Sequence, residues 1–135
     1  MNSLEKLKEV LSERKEFQLE RLILFSDAVF AIAITLLVIE IKVPVLEKTT
    51  THNLTEALLE KLPELFGFLI SFAVIGQFWI NHHRLFGYIT GYTTTLLWLN
   101  LHLLFWIVLL PFTSGLNSHY GGLDIVWMIY CFNLF

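Results

Sequence analysis

A single aspartate interrupts a long apolar stretch near the N-terminus. From Leu22 to Ile39, Asp27 is the only charged residue, and a run of this length is about long enough to cross the hydrocarbon core of a bilayer as a helix. An ionisable side chain in such a helix costs roughly 2.5–3.5 kcal/mol on insertion scales. An intramembrane carboxyl group can relay protons, bind a cation or accept hydrogen bonds, so the first apolar segment is where function is expected.

Three further polar residues are predicted to lie near the same depth. Asp27 is six residues beyond Arg21, which places it roughly 9 Å further along a helix. In an antiparallel arrangement of apolar helices, Ser26, His82 and Asn100 reach a similar level. Because polar groups in lipid must find partners, these side chains are expected to form one intramembrane cluster.

Two interpretations of this cluster are open. It can join three helices through hydrogen bonds, or it can act as a proton relay or as a cation or metal site. We favour the structural interpretation, because His82 and His83 point about 100° apart on a helix and make a poor chelating pair. The sequence also contains no His-x3-His or Glu-x-x-His spacing, so a metal site is not predicted.

An apolar stripe follows the aspartate on the same predicted helix. Ile32, Leu36 and Ile39 stand at i, i+4 and i+7 and therefore share one face, with Thr35 beside them. Asp27 points about 140° away from Ile32 at 100° per residue. Periodicity alone favours ordinary packing or lipid contact for this stripe.

The elements that position these residues are predicted to be helices throughout. Residues 1–20 are expected to form a polar helical arm with a narrow apolar stripe at Leu4, Leu7, Val10 and Leu11. Residues 21–135 are expected to form one transmembrane domain with spans at about 22–41, 63–82 and 92–112, and an incomplete span at 123–135. Pro111 is expected to end the third span, and residues 113–120, rich in Ser, Asn and Gly, are expected to form a loop.

Composition agrees with a membrane protein and excludes several function classes. Hydrophobic residues make up 56% of the chain, above the range typical of soluble domains. The net charge of −3 argues against a nucleic-acid partner, and the single cysteine excludes a disulfide framework. Lys and Arg are concentrated before the first span, so the N-terminus is predicted to be cytoplasmic. No nucleophile motif or phosphate loop is present, so an enzyme is not expected.

Three ordered motifs resemble one known family. Arg21-x-x-x-Phe25-Ser26-Asp27 lies at the start of the first span, Trp79-x-x-His82-x-Arg84-Leu85-Phe86 closes the second, and Leu99-Asn100 with Leu110-Pro111-Phe112 occupies the third. This arrangement resembles the transmembrane protein 175 family, the endolysosomal and prokaryotic potassium channels, and is similar to its prokaryotic branch. The resemblance covers residues 20–112.

The resemblance implies a potassium-preferring cation channel in the plasma (inner) membrane of a prokaryote. It implies six-span subunits that assemble as homotetramers within lipid, with the first helix of each subunit lining a central pore and with potassium as the permeant ion, without a cofactor. Ile32 then matches the apolar constriction, Leu36 and Ile39 match further pore-lining layers, and Thr35 matches a threonine linked to selectivity. The interhelical polar network implied by the family consists of Arg21, Phe25, Ser26, Asp27, His82 and Asn100.

Two other functions are compatible with the residues. A proton-coupled secondary transporter would use Asp27 and His82, and it predicts saturable, pH-dependent flux. A non-conducting membrane assembly protein predicts no flux.

The potassium channel implied by the resemblance would need no filter of backbone carbonyl groups, because a ring of Ile side chains can gate by dewetting. The sequence contains no Thr-Val-Gly-Tyr-Gly filter loop.

Overall fold

The computed structural model describes residues 3–46 and 50–134 of the 135-residue chain. Within these ranges the regular structure is entirely helical, without strands. The helices are α1 (Ser3–Ile39), α2 (Thr51–Glu60), α3 (Leu62–Phe86), α4 (Thr94–Tyr120) and α5 (Asp124–Leu134). Helices α1, α3 and α4 are long and apolar enough to cross a membrane, which confirms the predicted all-α membrane fold.

Helix α1 joins the predicted arm and the predicted first span in one unbroken helix of 37 residues. Its sequence contains neither Gly nor Pro, the residues that most often break or kink a helix. At 1.5 Å per residue the helix is about 55 Å long, well beyond the roughly 30 Å of a hydrocarbon core. It ends at Ile39, two residues before the predicted end of the span at residue 41.

The core lies where α1 meets α3 and α4, which also pack against each other. The buried face of α1 repeats at intervals of three and four residues, as a helix packed along one side requires. It consists of Leu22, Ser26, Phe30, Ala33 and Leu37. Ile75 of α3 and Leu104, Ile107 and Leu110 of α4 complete the apolar part of this core.

Helix α3 carries His82 into the core. It begins at Leu62 with Pro63 in its first turn, where the missing proline N–H is harmless. The helix continues to Phe86, four residues beyond the predicted end at residue 82. His82 is therefore held one turn inside the helix, with its ring stacked on Phe86 at a centroid distance of 4.2 Å.

Helix α4 extends beyond the predicted end of the third span. Thr93 caps its start by accepting a hydrogen bond from the Leu96 amide at 3.1 Å, but the helix passes through Pro111 and ends only at Tyr120. The expectations that the span ends near Pro111 and that residues 113–120 form a loop are therefore wrong.

Side chains around Pro111 explain why the helix continues. A proline inside a helix removes one backbone donor, and in membrane helices neighbouring side chains re-satisfy the freed groups. The Thr113 hydroxyl donates to the Leu110 carbonyl oxygen at 3.1 Å. With the Asn133 amide oriented to match donors to acceptors, its nitrogen donates to the Trp106 carbonyl oxygen at 3.1 Å and its oxygen accepts from the Leu110 amide at 3.2 Å.

The remaining helices attach to this three-helix unit. Helix α5 packs against α4, and α2 contacts α3. Thr50 caps α2 by accepting a hydrogen bond from the Asn53 amide at 3.3 Å. Near the end of α1, the Glu40 side chain lies against Gly115 of α4, and a Cβ at position 115 would overlap the carboxylate. Gly115 therefore leaves room for the Glu40 carboxylate against α4.

Candidate functional site

A chain of buried polar side chains joins α1, α4 and α3. The Asn100 amide nitrogen donates to Ser26 Oγ at 2.9 Å, and Asn100 Oδ1 lies 2.8 Å from His82 Nε2. Ser26 Oγ donates in turn to the Leu22 carbonyl oxygen at 2.9 Å. All three side chains are at most 4% exposed, so the chain is shielded from lipid and from solvent.

The hydrogen-bond pattern assigns the protonation of the His82 ring. Asn100 uses its nitrogen as the donor to Ser26, so its Oδ1 can only accept from the histidine. Nε2 of His82 therefore carries a proton and donates it to Asn100 Oδ1. Nδ1 is buried without a hydrogen-bond partner, between Phe30 and Phe86. Each donor in the chain thus points from α3 towards α1.

Asp27 makes a separate connection. Its Oδ1 accepts a hydrogen bond from Trp79 Nε1 of α3 at 2.8 Å, whereas Ser26 bonds to Asn100 of α4. Neighbouring residues on a helix point about 100° apart, so the adjacent Ser26 and Asp27 reach different helices. The predicted single cluster is in fact two connections that hold α1 against both of its neighbours.

The structure does not bring Arg21 and Phe25 into either connection. The Arg21 guanidinium lies 6.0 Å from the centre of the Phe17 ring on its own helix, and Phe25 is 50% exposed. Both residues line a surface cleft of about 320 Å³, together with Gln18, Leu22, Tyr92, Leu97 and Leu101. Within the described part of the chain, no hydrogen bond links Arg21 to Ser26, Asp27, His82 or Asn100.

The predicted pore-facing stripe lies on a different side of α1. Ile32, Leu36 and Ile39 are 58%, 39% and 67% exposed, and this stripe is displaced by about 110° from the buried face at 100° per residue. Thr35, beside the stripe, is also exposed. Its hydroxyl donates to the Ile32 carbonyl oxygen at 2.8 Å, which leaves the lone pairs of Oγ1 accessible from outside the subunit.

Two features were not predicted from the sequence. Trp79 belongs to the motif at the end of the predicted second span, but the sequence does not predict its hydrogen bond to Asp27. A second polar cluster joins α3, α4 and α5, in which Ser71 Oγ lies 2.8 Å from Ser114 Oγ and 3.2 Å from the Tyr130 hydroxyl. The sequence does not reveal it, because Ser114 falls within the residues 113–120 that are expected to form a loop. In the described ranges, no group of His, Cys, Asp and Glu is arranged to hold a metal ion.

Comparison with known proteins identifies the family of this bundle. Residues 21–111 match the family described as "Endosomal/lysosomal potassium channel TMEM175". The chain belongs to the TMEM175 family. The match includes both helix-joining connections and the exposed stripe of α1, and it confirms the resemblance inferred from the sequence motifs.

Bacterial TMEM175 relatives are similar to the chain over most of its length. It is 42% identical over 94 residues to a potassium channel of Chryseobacterium sp. (strain P1-3), which covers 70% of this chain and 46% of that protein. It is 44% identical over 96 residues to a potassium channel of Chamaesiphon minutus, which covers 71% of this chain and 47% of that protein. The chain thus spans about half the length of these curated relatives.

A solved TMEM175 structure and a vertebrate TMEM175 relative extend the comparison. The crystal structure of a lysosomal potassium-selective channel TMEM175 homologue from Chamaesiphon minutus superposes with a TM-score of 0.79 and 37% identity, covering 86% of this chain and 63% of that chain. A Danio rerio relative named endosomal/lysosomal proton channel TMEM175 is 41% identical over 80 residues, or 55% of this chain and 15% of that protein.

Proposed function

We propose that this protein conducts potassium passively across the plasma membrane of a prokaryote, as a potassium-preferring cation channel. In this proposal four identical subunits surround a central pore lined by α1 of each subunit, in a membrane-embedded homotetramer with a cytoplasmic N-terminus. Family membership and the bacterial relatives named potassium channels support conduction of potassium. No enzymatic step and no cofactor is part of the proposal.

The observation that carries the proposal is the division of α1 into two faces. One face is buried against α3 and α4 and fixed by hydrogen bonds through Ser26 and Asp27. The other face exposes Ile32, Leu36 and Ile39. A helix held this firmly on one side presents its exposed stripe at a fixed angle, as the wall of a pore requires.

The stripe would control conduction by its lack of polarity. A ring of Ile32 side chains forms a narrow apolar constriction, which excludes water and ions until it widens. Leu36 and Ile39, one and two turns further along α1, would continue the apolar wall. An ion passing Ile32 must loosen its hydration shell, and sodium holds its water more tightly than potassium.

Thr35 would add to this preference. Its hydroxyl proton is donated to the Ile32 carbonyl oxygen, so its oxygen presents lone pairs rather than a proton. Oxygen atoms beside the constriction can replace part of the lost hydration shell. The result is a modest preference for potassium without a filter of backbone carbonyl groups.

A proton-coupled transporter is a weaker candidate. It would use Asp27 and His82, but Asp27 bonds to Trp79 and His82 bonds to Asn100. Nδ1 of His82 is buried beside Phe30 and Phe86, and no described polar group is placed to exchange a proton with it. Because vertebrate relatives are named proton channels, the proton flux still has to be measured beside that of potassium.

The test is current across a planar bilayer that contains the purified full-length protein. Reversal potentials are recorded with potassium on one side and sodium on the other, and then with a proton gradient. Wild-type protein is compared with Ile32→Ala, which widens and wets the constriction. We expect a reversal potential that favours potassium, and a larger current for Ile32→Ala than for the wild type.

Val38→Ala is the matched control. Val38 is 55% exposed on α1 but lies more than 100° from the stripe at 100° per residue, so its truncation should leave the current unchanged. Equal increases for both variants would remove Ile32 from the pore wall. No current from an intact oligomer would instead support the non-conducting interpretation.

A further inference from the structure

A cavity of about 620 Å³ lies at the end of the bundle where α3 begins, α4 ends and α5 begins. Its volume is within the range of about 300–1,000 Å³ that small-molecule sites usually have. Among the described residues, those that line it belong to α3, α4, α5 and the connection between α4 and α5, and none belongs to α1. The cavity is therefore separate from the stripe of Ile32, Leu36 and Ile39.

The cavity exists partly because glycines line it. Beyond the backbone of its own helix, a Cβ atom on Gly67 of α3 would meet only Ser118 Oγ, at 3.6 Å, and one on Gly122 would meet nothing within 4 Å. The walls include the apolar side chains of Phe66 and Ile70, which are 63% and 61% exposed on α3. The cavity thus opens beside a surface that, on a membrane-spanning helix, suits lipid rather than water.

The hydroxyl groups of Ser71, Ser114 and Tyr130 line the cavity with one proton to spare. Ser71 Oγ lies 2.8 Å from Ser114 Oγ and 3.2 Å from the Tyr130 hydroxyl, and each side chain is at most 8% exposed. These two hydrogen bonds use two of the three hydroxyl protons, whichever atoms donate. Within the described ranges the three hydroxyl groups form no other hydrogen bond, so one buried proton has no acceptor. Such donors are rare in folded proteins.

Asn117 and Glu64 indicate the charge of a matching ligand. Asn117 lines the cavity on the same face of α4 as Ser114, three residues away, and its Oδ1 is buried without a hydrogen-bond partner. The carboxylate of Glu64 is already paired with Lys61 Nζ at 2.6 Å. The polar groups left to a ligand are therefore uncharged, which favours an uncharged ligand.

We propose that this cavity binds a neutral lipid, whose hydroxyl or ester oxygen accepts the spare proton of the three hydroxyl groups. The apolar chain of the lipid lies along Phe66 and Ile70. An apolar pocket with a few converging polar groups is the usual form of a small-molecule site. Binding of the lipid does not require conduction of potassium, so the proposal goes beyond the proposed function and is tested separately from it.

The depth of the cavity suits a lipid in one leaflet. Ser71 is nine residues beyond Leu62, the first residue of α3, which is about 14 Å along the helix axis and less than half of the roughly 30 Å hydrocarbon core. Trp127 also lines the cavity, and its Nε1 donates to the Gly121 carbonyl oxygen at 2.8 Å. Tryptophan is enriched at the interface between membrane and water, where the oxygen atoms of lipids lie.

Photolabelling of the full-length protein in lipid vesicles tests the site. The probe is octanol that carries a diazirine group, and the labelled residues are located by mass spectrometry. We expect labels on residues that line the cavity, and we expect excess octanol to lower this labelling several-fold more than octane at the same content in the membrane. If an intact oligomer carries no label in the cavity, the proposal is overturned.

A substitution that fills the cavity gives the matched comparison. Gly67→Leu places an apolar side chain in the cavity, and Gly76→Leu is the control. Gly76 is also a partly buried glycine of α3, but it lies outside the cavity lining, and a Cβ there would meet nothing within 4 Å. We expect Gly67→Leu to lose most of the octanol-sensitive labelling and Gly76→Leu to keep it. Equal labelling of both variants would overturn the proposal.

A triple variant tests recognition of the oxygen atom and does not depend on the folding of Gly67→Leu. Ser71→Ala, Ser114→Ala and Tyr130→Phe together remove the spare proton, and replacing all partners by apolar groups can be nearly neutral for stability. We expect octanol and octane to compete equally well in this variant. A preference for octanol that stays as in the wild type would overturn the proposal.

A water-soluble competitor distinguishes a lipid from a ligand that enters from solution. Glycerol offers hydroxyl oxygens without an apolar chain, and we expect it to leave the labelling unchanged. If glycerol displaces the probe as well as octanol does, the ligand comes from solution and the assignment to a lipid is overturned.

Discussion

The two sides of α1 are both largely apolar, but they differ in where the hydrogen-bonded polar residue lies. The side that packs on α3 and α4 contains the polar residue Ser26, which is fully buried and hydrogen-bonded. The side that faces away from the bundle contains Ile32, Leu36 and Ile39, which are exposed. In lipid an exposed apolar residue has no cost, whereas a polar group must find a partner inside the protein. Hydrogen bonds inside a mainly apolar core therefore hold α1 in place, and the exposed apolar stripe is free for the proposed function.

The largest effect is expected from Asn100→Leu, on the buried side. The substitution removes the acceptor of His82 Nε2 and the donor to Ser26, and an unsatisfied buried group costs about 1–3 kcal/mol. We expect lower thermal stability of the detergent-solubilised protein and a loss of assembled oligomer. Asn81→Leu is the control, because Asn81 is exposed and bonds to Gln77. Equal destabilisation by both variants would contradict the role of the buried chain.

A second large effect is expected from Ile32→Asn, on the exposed side. A polar side chain at the proposed constriction makes it wettable, so current should rise by more than in Ile32→Ala. The thermal unfolding midpoint should stay close to that of the wild type, because Ile32 is 58% exposed within the subunit. Increased current together with lost stability would mean that the two sides of α1 are not independent.

A moderate effect is expected from Asp27→Leu, compared with Asp27→Asn. Leucine cannot accept the hydrogen bond from Trp79 Nε1, whereas the oxygen of asparagine can. Only Asp27→Leu should lower the thermal unfolding midpoint and shift the fluorescence of the Trp79 indole. If Asp27→Asn instead abolishes a pH-dependent flux while the fold stays intact, Asp27 acts by its charge. That result would support the proton-coupled transporter over the channel.

The smallest effect is expected from Thr35→Ala, which tests whether the hydroxyl group on the exposed side contributes to ion selection. Removing the hydroxyl oxygen should lower the permeability ratio of potassium to sodium while conduction continues. Thr35→Ser keeps the oxygen and should keep the ratio. The ratio is obtained from reversal potentials with potassium and sodium on opposite sides. A ratio unchanged in Thr35→Ala would exclude Thr35 from ion selection.

Depth and helical spacing were enough to predict part of the site. Ser26, His82 and Asn100 were expected at one level because the lengths of antiparallel spans place them there, and the hydrogen-bonded chain joins these three residues. The partner of Asp27 was not predicted, because depth alone does not determine the direction of a side chain around the helix axis. Asp27 points in a different direction around the helix axis from Ser26, and this direction places its carboxylate within hydrogen-bond distance of Trp79.

The course of α4 beyond Pro111 could not be predicted locally. Proline and the following Ser, Gly and Asn residues are typical of a helix end and a loop. The groups that stabilise the continued helix include Asn133, which lies on α5 and is remote in sequence. The environment of the exposed stripe could not be predicted locally either. Periodicity predicts which face of α1 carries Ile32, but it does not distinguish a face in contact with lipid from a face that lines a pore.

The unbroken course of α1 has a mechanical consequence. A helix without Gly or Pro contains none of the usual hinge positions, so any tilt of α1 would move it as one stiff rod. Ser26, where α1 is anchored, is six residues from Ile32 and 23 residues from Ser3. If Ser26 is the fulcrum, a displacement at Ser3 is about four times that at Ile32 at equal rise per residue. A force on the N-terminal tip would therefore reach Ile32, the proposed constriction, with about fourfold mechanical advantage.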